Sequence, residues 1–177
     1  MDGTPLAERC AGIELLLLDV DGVLTDGGIV YADHGVEVKT FHVRDGSGLK
    51  VWHLAGKRSA IVTGRTSRLV EIRAQELGVG LVIQGAADKR AALERVLAES
   101  RVSAAQICAV GDDLPDVPVL RRCGLAAAVA DACPEARAAA HYVTRRPGGR
   151  GAVREVVELV LRGQGRWTPV IDPLIGS

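Results

Sequence analysis

The sequence of 177 residues predicts an α/β fold: a Rossmann-like, mostly parallel sheet with helices on both faces. Three observations carry that expectation. Short apolar runs alternate with amphipathic stretches, as successive β-α-β crossovers require. The apolar runs are nearly continuous rather than alternating, as strands covered on both faces are. The length suits one domain with a sizeable core.

Taken in order, strands are expected at 13–20, 59–62, 81–83, 107–110 and 126–129. Each is short, rich in Leu, Ile, Val and Ala, and bounded by turn residues. Helical patterns fall between them at 48–55, 67–77, 89–100 and 115–123, and a last helix at 152–161 closes the domain. One segment breaks this rhythm. Residues 29–31 and 37–43 read as two strands separated by Asp33, His34 and Gly35, so a β-hairpin at about 28–43 is expected after the first strand. It is too small for a second or cap domain, and beside the strand end it would act as a flap. The domain is therefore expected over 13–162, after an N-terminal segment (1–12) and before a flexible, Gly- and Pro-containing tail (163–177).

Composition narrows the function. Formal net charge is zero, which gives no basic excess for a nucleic-acid or anionic-membrane partner. No stretch approaches the roughly 18 apolar residues of a membrane span, and the first ten residues lack an apolar signal core. Cys10, Cys108, Cys123 and Cys133 form no CxxC pair, so free thiols in a reducing compartment are expected, and with them a cytoplasmic setting.

Ligands of an open parallel sheet bind beyond the C-terminal ends of its strands. There the sequence places Asp19-Val20-Asp21, then Thr63-Gly64-Arg65, then Asp88-Lys89 at a helix start, then Gly111-Asp112-Asp113 with Asp116 beyond. Carboxylates that converge repel one another unless a cation sits among them. Oxygen donors without Cys or His select a hard cation such as Mg²⁺. That set suits metal-assisted phosphoryl transfer, in which a carboxylate attacks phosphorus and forms an aspartyl phosphate. Each piece alone has a plainer reading. A DxD at a strand end is common in loops, Asp112-Asp113 with Asp116 equally fits a helix cap, Lys89 fits a solvated lysine, and Thr63 fits a strand-end hydroxyl. The combination, at the ends of successive strands, favours the chemistry.

DVDGVLTD, IVTGR, Lys89 and GDDLPD, in this order, resemble the four motifs of the haloacid dehalogenase-like phosphatases, over nearly the whole chain. FHVRDGSGLK, GDDLPDVPVL, AVADACPEARAAAHYVT and GGRGAVREV are similar to the capless branch. Within it they are most similar to the 3-deoxy-D-manno-octulosonate 8-phosphate phosphatases, with the nonulosonate (sialic acid-type) 9-phosphate phosphatases as the alternative. The resemblance implies Asp19 as nucleophile and Mg²⁺ ligand, and Asp21 as general acid, then base, with its backbone carbonyl on the metal. It implies Asp112 as a further ligand, Asp113 supporting through the metal's water shell, and Thr63 and Lys89 on the phosphoryl group. Sugar-acid contacts fall on His42, Val43, Arg44, Asp45, Gly46, Lys50, Arg65, Arg73 and Lys89. His42 stands where octulosonate enzymes usually carry Asn, and Lys50 where they often carry Arg, which leaves the exact sugar open. The resemblance further implies a homotetramer in which a neighbouring subunit covers the site. The apolar hairpin residues Ile29, Val30, Val36, Val38, Phe41 and Val43 give a physical reason for such cover. Arg145, Arg146 and Arg150 fit either an anionic substrate or solvated arginines. Relatives of this fold also serve as non-catalytic oligomerisation domains, but those lack the acidic residues retained here.

Overall fold

The computed structural model describes residues 3–176, so residues 1–2 and 177 of the expected terminal segments lie outside it. Six strands form one parallel sheet in the order β5-β4-β1-β6-β7-β8. They are β1 (Leu15–Leu18), β4 (Arg58–Val62), β5 (Leu81–Ile83), β6 (Ile107–Gly111), β7 (Leu125–Ala128) and β8 (Tyr142–Val143). β1 lies in the middle, pairing Leu15–Leu18 in parallel with 58–61 of β4 and with 107–110 of β6. All four of its leucines are buried, which explains their unbroken run: neither face meets water.

The helices sort by the handedness of the crossovers. α2 (Val43–Leu54) and α3 (Arg68–Leu77) lead the chain one way across the sheet, from β1 to β4 to β5. α4 (Lys89–Ser100), α5 (Val117–Leu120) and α6 (Pro134–Ala139) lead it the other way, through β6 and β7 to β8. Right-handed connections running in opposite directions lie on opposite faces. The packing agrees. α2 meets α3 and α7 (Ala152–Gly163), and α7 meets α1 (Leu6–Ala11), whereas α4 and α6 both pack on α5. The direction reverses between β1 and β6, so the crevice beyond the C-terminal ends of those two strands is the switch point where such sheets bind ligands.

α7 anchors one layer. Val153, Val156, Val157, Val160 and Leu161 are all fully buried, at the i, i+3, i+4, i+7 spacing of a helix face. It is tied to α2 by Asp45, which is 1% exposed. One Asp45 oxygen accepts from the Gly151 N–H at 3.0 Å, the other from the Arg154 N–H at 2.9 Å. Burial pushes the Asp45 carboxyl above its usual range, and these two N–H groups, from the unpaired first turn of a helix, offset part of that cost. At the other end of α7, Gln164 Nε2 donates to the carbonyls of Cys10 and Ile13, joining the start of the folded chain to its last long helix.

Several expected boundaries shift. The hairpin exists, but its strands are β2 (Val30–Tyr31) and β3 (Glu37–Val38), paired Val30 with Val38 and Tyr31 with Glu37 as a separate antiparallel sheet. The expected strand through residue 43 stops early because His42 caps α2: its Nδ1 accepts from the Arg44 N–H, and Asp45 follows in the first turn. α2 thus begins at Val43 rather than 48. The expected helix at 115–123 is a 3₁₀ turn (Leu114–Asp116) running into α5. α1, α6 and β8 were not expected. Where the sequence reading expects a flexible tail, the structure has the end of α7 and a further helix, α8 (Trp167–Ile175). Trp167 is buried, with the Arg154 and Arg162 guanidiniums 4.8 and 5.0 Å from its ring. Among the described residues no helix is long and apolar enough to cross a membrane, and all four cysteines are free.

Replacing Asp45 with Ala is expected to lower unfolding free energy by about 2 kcal/mol, since two buried hydrogen bonds to a charged acceptor are lost. Urea denaturation of Asp45→Ala beside the parent measures it, with Asp45→Asn expected to lose less.

Candidate active site

Asp19 is the first residue beyond β1 and is 8% exposed. Its N–H donates to the Val110 carbonyl, so the neighbouring strand fixes its backbone. Asp112 stands at the matching place beyond β6. Oxygens of Asp19, Asp112 and Asp116 lie within 4.8 Å of one another. Lys89, the first residue of α4, reaches between two of them. Its buried Nζ is 2.8 Å from Asp19 Oδ1 and 2.6 Å from Asp116 Oδ1. The second Asp116 oxygen accepts from the N–H groups of Asp112 and Asp113 at 3.0 and 3.2 Å. Asp116 therefore spends both oxygens on holding the site together. Its Oδ1 grips Lys89, and its Oδ2 shapes the turn that carries Asp112.

Asp112 differs. Its Oδ1 is buried and has no hydrogen-bond partner. An orphaned buried carboxylate oxygen is costly, and a bound cation would relieve that cost. Gly22, at φ 93°, makes the approach possible: a Cβ there would overlap the Asp112 carboxylate. The all-oxygen donor set of Asp19 and Asp112, with Asp116 already engaged, fits a hard divalent ion. Electrostatics agree. Burial, then the neighbouring Asp19 and Asp116, push Asp112 up to about 8. Burial likewise pushes Asp19 up to about 6 against the opposing pull of Lys89. Burial also works against the Lys89 charge, but Asp19 and Asp116 outweigh it and hold the ammonium above its ordinary value.

Asp21 points elsewhere. Its Oδ1 accepts from Lys39 of the hairpin, and its Oδ2 lies 3.7 Å from Arg65 Nε. Arg65 Nη2 in turn donates to Tyr31 Oη at 3.1 Å and Glu37 Oε1 at 3.2 Å. The Ser67 hydroxyl donates to Glu37 Oε2, and this bond above all, with Arg65 and Lys39, holds the Glu37 carboxyl below its usual range. Thr63 is buried at the end of β4, the strand next to β1. Asp113 is exposed and stands outside the group of three carboxylates.

The expected sugar contacts are spread out. Arg65 borders Asp21. Arg73 lies 5.8 Å from the Phe41 ring, lines a shallow cleft with Val43, and occupies space that a Cβ on Gly46 would need. Arg44 lines a separate cleft with Arg145, Arg146 and Arg154. Lys50 is exposed on α2, and Asp45 faces inward onto α7. Arg145 pairs with Glu155 and Arg150 with Asp26, each at 3.5 Å. Sequence reasoning left Asp116 between cap and site; it serves as both. It passed over Lys39 and Glu37 altogether. The only signal for them was their i, i+2 spacing, which puts two opposite charges on one face of a strand.

Comparison with known proteins gives this arrangement a family. Residues 79–155 match the model of the haloacid dehalogenase-like hydrolases. The 3-deoxy-D-manno-octulosonate 8-phosphate phosphatase KdsC of Yersinia pestis is 46% identical over 159 residues, 90% of this chain and 85% of that protein. The structure of a probable YrbI family phosphatase from Pseudomonas syringae superposes with a TM-score of 0.93 at 44% identity, covering 96% of this chain and 97% of that one. The 3-deoxy-D-manno-octulosonate 8-phosphate phosphatase of Moraxella catarrhalis, solved with magnesium, phosphate and 3-deoxy-D-manno-octulosonate (KDO), gives 0.93 at 40% identity over 96% and 97%. A parallel sheet with this carboxylate crevice at its switch point is that of a haloacid dehalogenase-like hydrolase, a phosphomonoester hydrolase. More narrowly, the chain belongs to the capless phosphatases of that family, the branch that holds the octulosonate 8-phosphate enzymes.

The raised carboxyls have a consequence for stability. A carboxyl with a higher pKa folded than unfolded favours folding while protonated and opposes it once ionised. Metal-free protein should therefore lose stability as pH rises from about 4 to about 8 at these two groups. In thermal melts without metal, Asp112→Asn is expected to gain on the parent as pH rises from 5 to 8. With Mg²⁺ the order should reverse at pH 8.

Proposed function

We propose that the protein hydrolyses 3-deoxy-D-manno-octulosonate 8-phosphate in a Mg²⁺-dependent reaction through a phosphoryl group carried on Asp19. The observation that carries this reading is the pairing of Asp19 with Asp112, whose buried Oδ1 has no partner, at the switch point of the sheet. Asp19, Asp112 and the backbone carbonyl of Asp21 would hold the ion, with Asp113 in its water shell. Bound there, Mg²⁺ would offset the charge of carboxylates and phosphate.

The chain's own residues account for the rest. Lys89 and the Thr63 hydroxyl take the phosphoryl oxygens. The Asp19 carboxylate attacks phosphorus, the bond from phosphorus to the sugar oxygen breaks, and Asp21 gives that oxygen its proton. Ionised Asp21 then takes a proton from water as the water oxygen attacks phosphorus, releasing phosphate and restoring Asp19. Asp19 and Asp21 take different tasks because their surroundings differ: one faces the buried Lys89, the other the hairpin.

The sugar acid is supported by the named relatives and by the Arg65 guanidinium beside Asp21. Arg65, which borders Asp21, is assigned to the substrate carboxylate. Arg73, His42, Val43 and Gly46 lie further along the neighbouring surface, Arg44 and Lys50 stand apart from the crevice, and Asp45 holds the segment in place. The hairpin leaves Ile29, Val30, Tyr31, Val36 and Val38 exposed, which supports a homotetramer in which a neighbouring subunit covers them and the site. The free thiols suit a cytoplasmic setting.

Chelation with EDTA is expected to abolish phosphate release and added Mg²⁺ to restore it. Asp19→Asn should lower kcat on the order of 10³-fold or more, because no other group replaces a nucleophile; full turnover by that variant would sink the assignment. Assayed side by side, octulosonate 8-phosphate should exceed nonulosonate 9-phosphate in kcat/KM by at least about tenfold, a difference of about 1.4 kcal/mol in transition-state binding. The reverse preference would move the protein to the nonulosonate enzymes.

A further inference from the structure

Asp21, Lys39, Glu37 and Arg65 form a closed ring of alternating charge. Lys39 Nζ meets Asp21 Oδ1 and lies 3.4 Å from Glu37 Oε1. Glu37 Oε1 accepts from Arg65 at 3.2 Å, and Arg65 Nε lies 3.7 Å from Asp21 Oδ2. Two members come from the ends of β1 and β4, and two from the hairpin. The Lys39 side chain is only 2% exposed, although the hairpin around it is largely open to solvent. An ammonium is buried like this only where partners hold it.

The two Asp21 oxygens are not equivalent. Oδ1 is fixed by Lys39. Oδ2 lies 3.7 Å from Arg65 Nε, too far for a hydrogen bond, and so is held less tightly. We propose that Lys39 is a positioning residue for Asp21: by gripping one carboxylate oxygen it fixes how the carboxyl group is turned beside the crevice, so the hairpin sets the geometry of proton transfer. This rests on the reading of Asp21 as general acid given above. It deepens that reading by naming the residue through which the hairpin acts.

The test uses kcat/KM, which reports the phosphoryl transfer to the enzyme, on two substrates with saturating Mg²⁺. p-Nitrophenyl phosphate releases a stable phenolate that needs little protonation, whereas an alkyl phosphate such as glycerol phosphate releases an alkoxide that needs it. Lys39→Met keeps the length of the stem and removes the ammonium. It should lose about tenfold or more extra on the alkyl phosphate, a part of the 10²–10⁴ that general acid catalysis supplies. Lys39→Arg should recover part of that loss. Mg²⁺ affinity by calorimetry should stay near the parent's.

In an Asp21→Asn background, Lys39→Met should add little, because it acts through the missing carboxylate. Glu37→Gln, which loosens the ring from its other side, should give a smaller loss of the same selectivity and serves as the variant if Lys39→Met folds poorly. Equal losses on the two substrates, or additive effects with Asp21→Asn, would overturn the proposal. If Asp21→Asn itself shows no dependence on the leaving group, the reading of Asp21 as acid fails, whatever Lys39 does.

Discussion

The buried ammonium of Lys89 is the constraint on which the rest of the site depends. It lies within 2.8 Å of both Asp19 and Asp116, and without it three carboxylates could not share so small a volume. With all three carboxyls ionised, one ammonium leaves two negative charges, the charge that one divalent cation would offset; without that cation burial raises Asp112 and Asp19 above the usual carboxyl range. Asp116 turns this into architecture. By holding Lys89 with one oxygen and the Asp112–Asp113 backbone with the other, it links the start of α4 to the turn after β6. The sheet supplies the remaining rigidity, since β1 and β6 are adjacent and Asp19 is hydrogen-bonded across to Val110.

The two acids of the first motif are thereby served by different parts of the molecule. Asp19 belongs to the rigid interior. Asp21, three residues beyond β1, is held instead by Lys39 of a surface arm whose own sheet has two short strands and mostly exposed side chains. Rigid placement suits the nucleophile proposed for Asp19, which would have to meet phosphorus in line. An arm near solvent suits the proton transfer proposed for Asp21. A partner subunit packed on the hairpin would thus reach Asp21 through Glu37 and Lys39 without touching Asp19.

Much of this was legible in the sequence, for identifiable reasons. A strand buried on both faces leaves an unbroken apolar run, so β1, β4, β5, β6 and β7 could be placed within a residue or two. The carboxylates at their ends followed from where parallel sheets bind ligands. The misses have local causes. β8 is two half-buried residues, too few to show a period. α1 starts after Pro5 without a side-chain cap. α8 carries two prolines and packs mainly through one tryptophan, which reads as tail. FHV, residues 41–43, looks extended until His42 is seen capping the next helix. Asp116 was ambiguous because a cap and a buttress use the same spacing. Lys39 was invisible because its partner lies 18 residues back, across a hairpin whose path the sequence does not state.

Gln164 adds a feature of a different kind. By bonding the carbonyls of Cys10 and Ile13 it sews residues more than 150 positions apart in the chain. The side chain of Cys10 also presses on Gly163, where a Cβ would have no room. Proteins usually begin to open by fraying from an end. Here the first helix and the last turn of α7 cannot fray independently, because each is the other's support. The domain is closed on itself much as a ring is, at a seam by the N-terminal ends of the strands. That seam lies at the opposite edge of the sheet from the carboxylate crevice, so strain at one need not be felt at the other.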